Sequence, residues 1–473
     1  MHTRLTRWMA GAAIVAIVVG ACTSNAPAPS SPGASAGSQP PAATPGGPKA
    51  QLRWYCCLGT GEDPAQVPTE EKVISDYNAQ SAVGELKFEV VTYDAARATL
   101  STQIASGNSP DIVGPTGIGG LAAFDGQWLD LGPYIQKTGY DLTQYPESAV
   151  AAYNIPGEGQ IGIPFAIYPS MLWYKAEMFD EAGLAYPPHK YGEKYRWPDG
   201  REVEWNYDTV RELALKLTVD KNNKDATQAG FDPKNIVQYG FEPQRDDLRG
   251  LGAYWGSGSL AGPDGKVKVP DAWKDAWKFF YNGMWTDHTI MTGPVAESED
   301  FSGGGYPFFS GRVAMSLNFL WTTYGVADAG TDWDLAAIPS HKGKTTSPLN
   351  ADTFGILKGS KAPDAAFDAL TYLQDDAADT LLNLYGAMPA RPERQDAFFE
   401  TLAGNFENEV DWQVVKDSVQ YADDPNFEAP IPKYNETLNT LVTYRTKWVA
   451  TPGLDMDAEI RALEAELQAI WDS

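Results

Sequence analysis

The sequence is poor in the residues from which metal centres and redox sites are usually built. Only three cysteines and four histidines occur among 473 residues. His2, His189, His288 and His341 lie far apart, and their spacings do not match those of metal ligands on one helix or strand. The pattern therefore argues against a zinc enzyme.

Basic residues are also scarce, because 36 Lys and Arg stand against 62 Asp and Glu, a formal net charge of −26. Nucleic acids and anionic lipid headgroups are bound through basic patches, so neither is a predicted partner. Beyond the N-terminus the sequence lacks an apolar run of about 18 residues, the length that would predict a membrane span. The length is sufficient for two domains with a large core, and we expect a monomer.

The N-terminus has the pattern of an export signal. Two arginines precede an apolar run, Ala10–Val19, that is too short to span a bilayer, and small residues stand immediately before Cys22. This arrangement resembles a bacterial lipoprotein signal. The resemblance implies a signal peptide at 1–21, cleavage before Cys22, and an extracytoplasmic protein held at the cell membrane by lipid on that cysteine. The alternative is an ordinary secretory signal with an incidental cysteine.

Residues 22–50 consist largely of Pro, Ala, Ser and Gly, with almost no charged or aromatic residues. Such a segment buries too little apolar surface to offset its chain entropy. We predict a disordered tether here, and a folded chain that begins near Gln51.

The folded part opens with alternating strand and helix patterns. "QLRWYCC" and "LKFEVVTY" predict strands, and "TEEKVISDYNAQ" between them predicts a helix. "AARATLSTQIASG" then predicts a second helix and "PDIVG" a third strand. This alternation predicts an α/β fold with a parallel sheet, whose ligands bind at the C-terminal ends of the strands. Farther on, Tyr186–Trp205 has a "PDG" turn between aromatic flanks and predicts an inserted β-hairpin.

Several segments are similar, in the right order, to the solute-binding proteins of ABC importers, specifically the sugar-binding group related to maltose-binding protein. The matching segments are "ASGNSPDIV" (Ala105–Val113), "GQWLDLGPYI" (Gly126–Ile135), "GIPFAIYPSMLWYKAEMFDEAGL" (Gly162–Leu184), "NYDTVRELALKLT" (Asn206–Thr218), "FFSGRVAMSLNFLW" (Phe308–Trp321), "WDLAAIPSHKG" (Trp333–Gly343) and "TFGILKGSKAPDAAFDALTYL" (Thr353–Leu373). Each motif alone is weak, but together they extend over nearly the whole mature chain.

The resemblance implies a two-lobed, periplasmic-binding-protein-like fold of type II, with a mostly parallel sheet in each lobe and a hinge between them. We place one lobe at 51–163 plus 352–395 and the other at 164–351 plus 396–473, to within several residues. Closure about a hinge would trap a ligand between the lobes. The resemblance further implies a carbohydrate ligand, with the long insert favouring an oligosaccharide, delivery to the permease subunits of an ABC transporter, and no catalysis.

A carbohydrate site needs aromatic platforms for the C–H faces of the sugar and polar side chains for its hydroxyl groups. The residues that the resemblance places at the cleft are Tyr168, Ser170, Glu242, Gln244, Trp321 and Tyr434. For Trp321 the alternative is a core tryptophan, and for Tyr168 it is packing at the hinge.

Chain position adds further candidates, because they stand in predicted loops, at predicted strand ends or at the second crossing between lobes. These are Thr60, Glu62, Asp94, Thr116, Trp255, Asn350 and Asp352. Asp94 has the alternative role of a helix cap, and Trp255 is proposed as a second platform because glycines surround it.

Cys56 and Cys57 are adjacent at the end of the first predicted strand. Outside the cytoplasm thiols tend to be oxidised, and Cys22 is committed to lipid, so these two have only each other or an external partner. Two readings stay open: a vicinal disulfide that forms a rigid knuckle at the cleft, or two free, partly buried thiols.

The segment Asp220–Asp232 resembles an EF-hand loop and would supply oxygen ligands for a structural calcium ion, the only cofactor that we consider. The ligands would be Asp220, Asn222, Asp225 and Asp232. Lys224 and Phe231 depart from the EF-hand pattern, so a polar surface turn is the alternative.

Two other functions remain open at the level of sequence. A sensor subunit would bind a ligand in the same way but engage a signalling receptor. A glycoside hydrolase would need two carboxylates about 5–10 Å apart across a sugar, and the sequence nominates no such pair.

Overall fold

The structure is a computed structural model that describes residues 48–56, 58–155, 157–244, 247–303, 306–326 and 332–473. These residues belong to one compact unit. The predicted signal peptide at 1–21, Cys22, almost all of the predicted tether and Cys57 lie outside the described residues.

Seventeen strands are formed by the described residues. In chain order they are β1 (Ala50–Tyr55), β2 (Gly84–Glu89), β3 (Ile112–Gly117), β4 (Asn154–Ile155), β5 (Gly159–Gln160), β6 (Ile163–Tyr174), β7 (Lys194–Arg196), β8 (Glu202–Glu204), β9 (Val219–Asp220), β10 (Ile236–Gln238), β11 (Glu242–Pro243), β12 (Met315–Phe319), β13 (Asp334–Ala336), β14 (Ser340–His341), β15 (Lys344–Thr345), β16 (Leu349–Ile356) and β17 (Met388–Pro389).

Sixteen α-helices accompany these strands in the same described ranges. They are α1 (Val67–Gln80), α2 (Tyr93–Ala105), α3 (Ile118–Ala122), α4 (Gly132–Thr138), α5 (Glu147–Ala151), α6 (Ala176–Glu181), α7 (Tyr207–Leu217), α8 (Leu248–Ala253), α9 (Asp271–Trp285), α10 (Gly293–Ala296), α11 (Pro363–Gln374), α12 (Ala378–Tyr385), α13 (Pro392–Ala403), α14 (Gln413–Ser418), α15 (Tyr434–Ala450) and α16 (Met456–Trp471). None of the helices in the described ranges is both long enough and apolar enough to span a bilayer.

The first strands and helices form the predicted parallel unit. β1 pairs in parallel with β2 along its whole length and with β3 at Trp54 and Tyr55. Helix α1 buries Val73, Ile74 and Tyr77 against this sheet because its apolar residues recur at helical spacing. The mixed α/β fold class predicted from the sequence is confirmed.

A long strand, β6, joins the two parts of the main sheet. Residues 163–169 pair with β16, and residues 170–174 pair with β12 and β13. The sheet therefore has the order β11-β12-β6-β16-β3-β1-β2, with β13 and β17 also paired to β6. The change of partner between Pro169 and Ser170 divides β6 between the two parts of the sheet, and the predicted lobe boundaries, 51–163 plus 352–395 and 164–351 plus 396–473, stay a prediction.

The predicted hairpin is present, because β7 and β8 pair in antiparallel around the "WPDG" turn. Its aromatic side chains, Tyr195, Trp197 and the following Trp205, are buried within the second lobe, and the Trp205 indole donates to the Ala337 carbonyl at 2.7 Å. The insert is therefore built into the lobe's own core, and it gives no support to the expectation that it favours an oligosaccharide.

Candidate ligand-binding site between the lobes

Three neighbouring strands bring three of the predicted site residues, Tyr168, Asn350 and Asp352, together on one face of the sheet, while Thr116, adjacent to Gly117, faces the opposite side and packs against Gly120. Strands β3 and β16 set Thr116 opposite Thr353 and Gly117 opposite Asp352. Strands β16 and β6 set Asn350 opposite Tyr168. Because the three strands are adjacent, side chains more than 180 positions apart in sequence share one region at the crossing point.

The centre of this region is a buried carboxyl group. Asp352 is 8% exposed, and the Tyr168 hydroxyl donates to its side chain. Burial, and secondarily the nearby charge of Glu428, raise the pKa of Asp352 to about 7. This side chain can therefore accept or donate a hydrogen bond near neutral pH.

Two residues from the C-terminal part of the chain, Glu428 and Tyr434, approach the same point. The backbone N–H of Gly119, at the start of α3, donates to the Glu428 carboxylate at 3.4 Å. An added Cβ on Gly117 would lie 3.1 Å from Glu428 Oε2 and 3.5 Å from Asp352 Oδ1, so the two carboxyl groups flank this glycine. Tyr434 lies beside them, because its hydroxyl would be 2.8 Å from a Cβ on Gly119.

Two buried hydroxyl groups and a guanidinium have unused hydrogen-bonding capacity. Thr116 Oγ1, Tyr153 Oη and Arg249 Nε have no hydrogen-bond partner among the described residues. Burial raises the pKa of Tyr153, with smaller contributions from the charges of Asp352 and Glu428. Buried polar groups are normally paired, so Tyr153 and Arg249, which both lie near Glu428, are suited to a ligand that carries several hydroxyl groups.

An aromatic residue borders the polar centre. Trp321 is half-buried, stacks on Phe319 with ring centroids 4.4 Å apart, and meets Tyr168 edge-on at 5.4 Å. Across the region, the Arg249 guanidinium lies 5.8 Å from the Tyr434 ring. A half-exposed indole fixed by neighbouring rings is the platform that a sugar face requires.

Glu428, Arg249 and Tyr153 were missed by sequence reasoning. Glu428 and Arg249 come from a Pro-rich loop and a short helix, Tyr153 from the turn between α5 and β4, and none stands at a predicted strand end. Glu428 could have been found from its position, because it stands only six residues before Tyr434, a residue that was predicted to contact the ligand.

The predicted residues Thr60, Glu62 and Asp94 lie near one another on the first lobe, at a more exposed position. Thr60 donates to Gln66 at 3.2 Å, and the Glu62 carboxylate accepts from the backbone N–H of Tyr93. Asp94 is exposed in the first turn of α2, whose N-cap is Thr92, so it is not the cap residue. Their role as ligand contacts stays a prediction.

Ser170 and Trp255 are both covered by neighbouring side chains. Ser170 is fully buried, and its hydroxyl pairs with that of Ser347 at 3.0 Å, which joins the two crossing segments. Trp255 is 3% exposed and stacks on Tyr207 with ring centroids 3.4 Å apart. Both have their surfaces taken up by packing in this structure, and their role as ligand contacts stays a prediction.

Glu242 and Gln244 lie on a different wall of the second lobe. Glu242 is 5% exposed and accepts from the Ser316 hydroxyl at 2.9 Å, and both residues border a cavity described below. That cavity's lining includes none of Thr116, Tyr168 or Asp352.

Cys56 is buried at the end of β1 and is disulfide-bonded. Cys57 lies outside the described residues, so the pairing of the two neighbours stays a prediction.

The predicted calcium loop is occupied by its own hydrogen bonds. Asp220 accepts from the backbone N–H groups of Asn222, Lys224 and Asp232, while Asp225 accepts from Thr227. The Asp232 carboxylate accepts from the backbone N–H of Lys234 and from the side-chain amide of Asn235. Within the described residues there is no group of three or more His, Cys, Asp or Glu side chains that could hold a metal ion. The geometry therefore gives calcium no support and fits a polar turn.

The buried carboxyl groups predict a pH-dependent stability. Burial raises the pKa of Asp352, Glu242 and Asp423 to about 7 in each case, whereas an unfolded Asp or Glu titrates near about 4. Between these values the folded chain binds more protons than the unfolded chain, so the free energy of unfolding falls as pH rises. We expect calorimetry to show a melting temperature several degrees higher at about pH 5.5 than at about pH 7.5.

The Asp352→Asn variant should show a smaller pH dependence of the melting temperature, since its amide does not titrate while Glu242 and Asp423 still do. A melting temperature that increased from pH 5.5 to 7.5 would contradict the prediction.

The fold and this region define a class of protein: a two-lobed α/β binding protein whose lobes meet over a polar, aromatic-bordered centre. Residues 72–429 match the family model described as bacterial extracellular solute-binding protein. Because the match extends over more than half of the chain, this protein belongs to that family, and the resemblance found in the sequence is confirmed. Family membership also implies an extracytoplasmic location.

Solved structures of solute-binding proteins share the fold. An ABC substrate-binding protein, Lmo0181 from Listeria monocytogenes in complex with cycloalternan, is 17% identical with a TM-score of 0.69, covering 89% of this chain and 99% of that one. The sugar-binding protein MalE from Xanthomonas citri is 15% identical with a TM-score of 0.65, covering 89% and 98%. The GacH receptor of Streptomyces glaucescens, solved unliganded and with acarbose, is 16% identical with a TM-score of 0.63, covering 90% and 100%. The comparison with curated proteins yields no match.

Proposed function

We propose that this protein captures an oligosaccharide between its lobes and delivers it, unmodified, to the permease of an ABC importer. The observation that carries the proposal is the meeting of the buried Asp352 and Tyr168 with the partly buried Glu428, beside the half-buried Trp321. The ligands of two structural relatives, cycloalternan and acarbose, support a carbohydrate of more than one ring.

Each group has a defined part in such a complex. Asp352 and Glu428 accept hydroxyl hydrogens, Arg249 and Tyr153 donate to ring or hydroxyl oxygens, and the indole of Trp321 packs on a C–H face. Because Asp352 and Glu428 belong to different lobes, one ligand that contacts both favours closure. A ligand without hydroxyl groups would strand these polar side chains, which is the basis of selectivity.

Attachment to the membrane is part of the proposal and rests on the sequence before Cys22. A lipid on that cysteine, with residues 23–50 as a flexible tether, would keep the protein near its permease.

A thermal-shift screen of wild-type protein over mono- and oligosaccharides tests the proposal, because a ligand that binds only the native state raises the melting temperature. Asp352 and Glu428 also form a carboxyl pair, so the bound oligosaccharides should be analysed by chromatography after incubation. We expect a shift and intact sugar. Cleavage products would favour a glycoside hydrolase, and no shift with any carbohydrate would overturn the proposal.

The Trp321→Ala variant is expected to bind the carbohydrate found in this screen about 10- to 100-fold more weakly than wild type does, since loss of an aromatic platform costs roughly 1–3 kcal/mol. Calorimetric titration measures the effect. The affinity of Trp321→Phe, which keeps a smaller ring, should lie between those of wild type and Trp321→Ala. Equal affinity for Trp321→Ala and wild type would show that this indole does not contact the sugar.

A further inference from the structure

We propose that the second lobe carries another ligand site, which binds a small apolar molecule bearing one hydroxyl group. It is a cavity of about 430 Å³ between strand β11 and helices α8, α9, α10 and α15. Engineered cavities of about 150 Å³ hold benzene, and ligand pockets begin near about 300 Å³, so this volume suits a molecule of two fused rings.

The wall of the cavity is apolar and well buried. Its principal side chains are Trp277, Phe280, Met284, Ile290, Trp448 and Val449. Most of these belong to the main hydrophobic core cluster, so their positions are set by packing on the far side.

The polar atoms on these aromatic walls are already used. Trp277 Nε1 donates to the Leu248 carbonyl at 2.7 Å, Trp448 Nε1 donates to Glu459 at 3.1 Å, and the Tyr281 hydroxyl donates to the Thr451 carbonyl at 3.0 Å. A sugar placed against this wall would lose its hydrogen bonds to water without replacing them. The wall therefore selects an apolar body.

One corner of the cavity is polar. Gln244 Oε1 is buried and has no hydrogen-bond partner among the described residues. Glu242 lies two residues away, held by the Ser316 hydroxyl, and burial raises its pKa to about 7. A hydroxyl group can donate to Gln244 and exchange a hydrogen bond with Glu242, which places the polar end of the ligand here.

The charged residues Arg445 and Glu297 also border the cavity. Glu297, which is exposed, and Glu242 would repel an anion, whereas Arg445 would attract one. Gln244 Oε1 is an acceptor that needs a donor, which a hydroxyl supplies and a carboxylate does not, so a hydroxyl fits this corner better.

Three probes of equal ring size test the site on wild-type protein: 2-naphthol, naphthalene and 2-naphthoate. We expect 2-naphthol to raise the melting temperature and bind at least about tenfold more tightly than naphthalene, because only it satisfies Gln244. No shift with 2-naphthol up to its solubility, or tighter binding of 2-naphthoate, would overturn the proposal.

Two valines on α15 give a matched pair of variants. Val449 lines the cavity, whereas Val442 is 58% exposed on the same helix. Val449→Trp should fill the cavity and lower the affinity for 2-naphthol by about tenfold or more. Val442→Trp should leave that affinity unchanged. Equal weakening by both, or by neither, would contradict the assigned position.

Gln244→Leu provides a milder test in case the tryptophan disturbs the fold. It should remove the preference for 2-naphthol over naphthalene while leaving naphthalene binding in place, and an undiminished preference would contradict the assigned polar corner. The proposal does not depend on carbohydrate binding. The oligosaccharide identified in the screen should bind the Val449→Trp variant as it binds wild type, and competition between that sugar and 2-naphthol would show that the two sites are one.

Discussion

Asp352→Asn is expected to weaken carbohydrate binding by about 30-fold or more, because altering one member of a buried, hydrogen-bonded charged site costs roughly 2–5 kcal/mol. The amide keeps the size of the side chain but places an NH₂ donor where the carboxylate accepts. The Tyr168 hydroxyl and the ligand hydroxyls would then compete for a single oxygen. Calorimetric titration with the oligosaccharide identified by thermal shift measures the change.

The pH dependence of affinity separates this role from a purely structural one. Ligand hydroxyls that donate to Asp352 stabilise its ionised form, and the free protein's Asp352 has a pKa of about 7. Affinity of the wild type should therefore increase as pH rises through about 7, and the Asp352→Asn variant should lose this dependence. Asp376→Asn, at an exposed position on the first lobe, is the matched control and should bind as wild type does. If Asp352→Asn had the affinity and the pH profile of wild type, Asp352 would not be a ligand contact.

Gly119→Leu is expected to weaken carbohydrate binding strongly by holding the lobes apart. Gly119 lies within helix α3, where leucine is well tolerated by the backbone. A Cβ there would be 2.8 Å from the Tyr434 hydroxyl and 3.5 Å from the Glu428 carboxyl carbon, and a leucine reaches farther. Since a closed complex needs both lobes on the ligand, blocking this contact should reduce affinity by about 100-fold or more.

Solution scattering distinguishes a propped cleft from an unfolded protein. Wild type should become more compact with the oligosaccharide, whereas Gly119→Leu should keep its unliganded radius of gyration and a normal melting temperature. Gly404→Leu is the control, because Gly404 is exposed after α13 and an added Cβ meets only ordinary contacts with its own helix, the nearest at 3.4 Å. Ligand-induced compaction of Gly119→Leu equal to that of wild type would contradict the closure mechanism.

The strands and helices of the first lobe could be predicted because their signals are local. Val73, Ile74 and Tyr77 recur at helical spacing, and all three are buried in α1. The hairpin around "WPDG" could be predicted for the same reason, since turn residues act within a few positions.

The site was predictable only where sequence position implied a place in the sheet. Tyr168 and Asp352 stand on the adjacent strands β6 and β16, and the Tyr168 hydroxyl donates to Asp352. Glu428 and Arg249 were missed because a residue in a loop or a short helix has no pattern of spacing that shows which way its side chain points. The glycines around Trp255 did not reveal that Tyr207 covers its ring.

The amino-acid sequence by itself determined the class of fold, the order of its strands and helices, and the family, because periodicity and ordered motifs are properties of neighbouring residues. Only the tertiary structure decided which polar groups share a buried centre and which aromatic rings stay accessible. The reason is that burial, which raises the pKa of Asp352 and leaves Thr116 without a partner, is produced by segments that are remote in the chain.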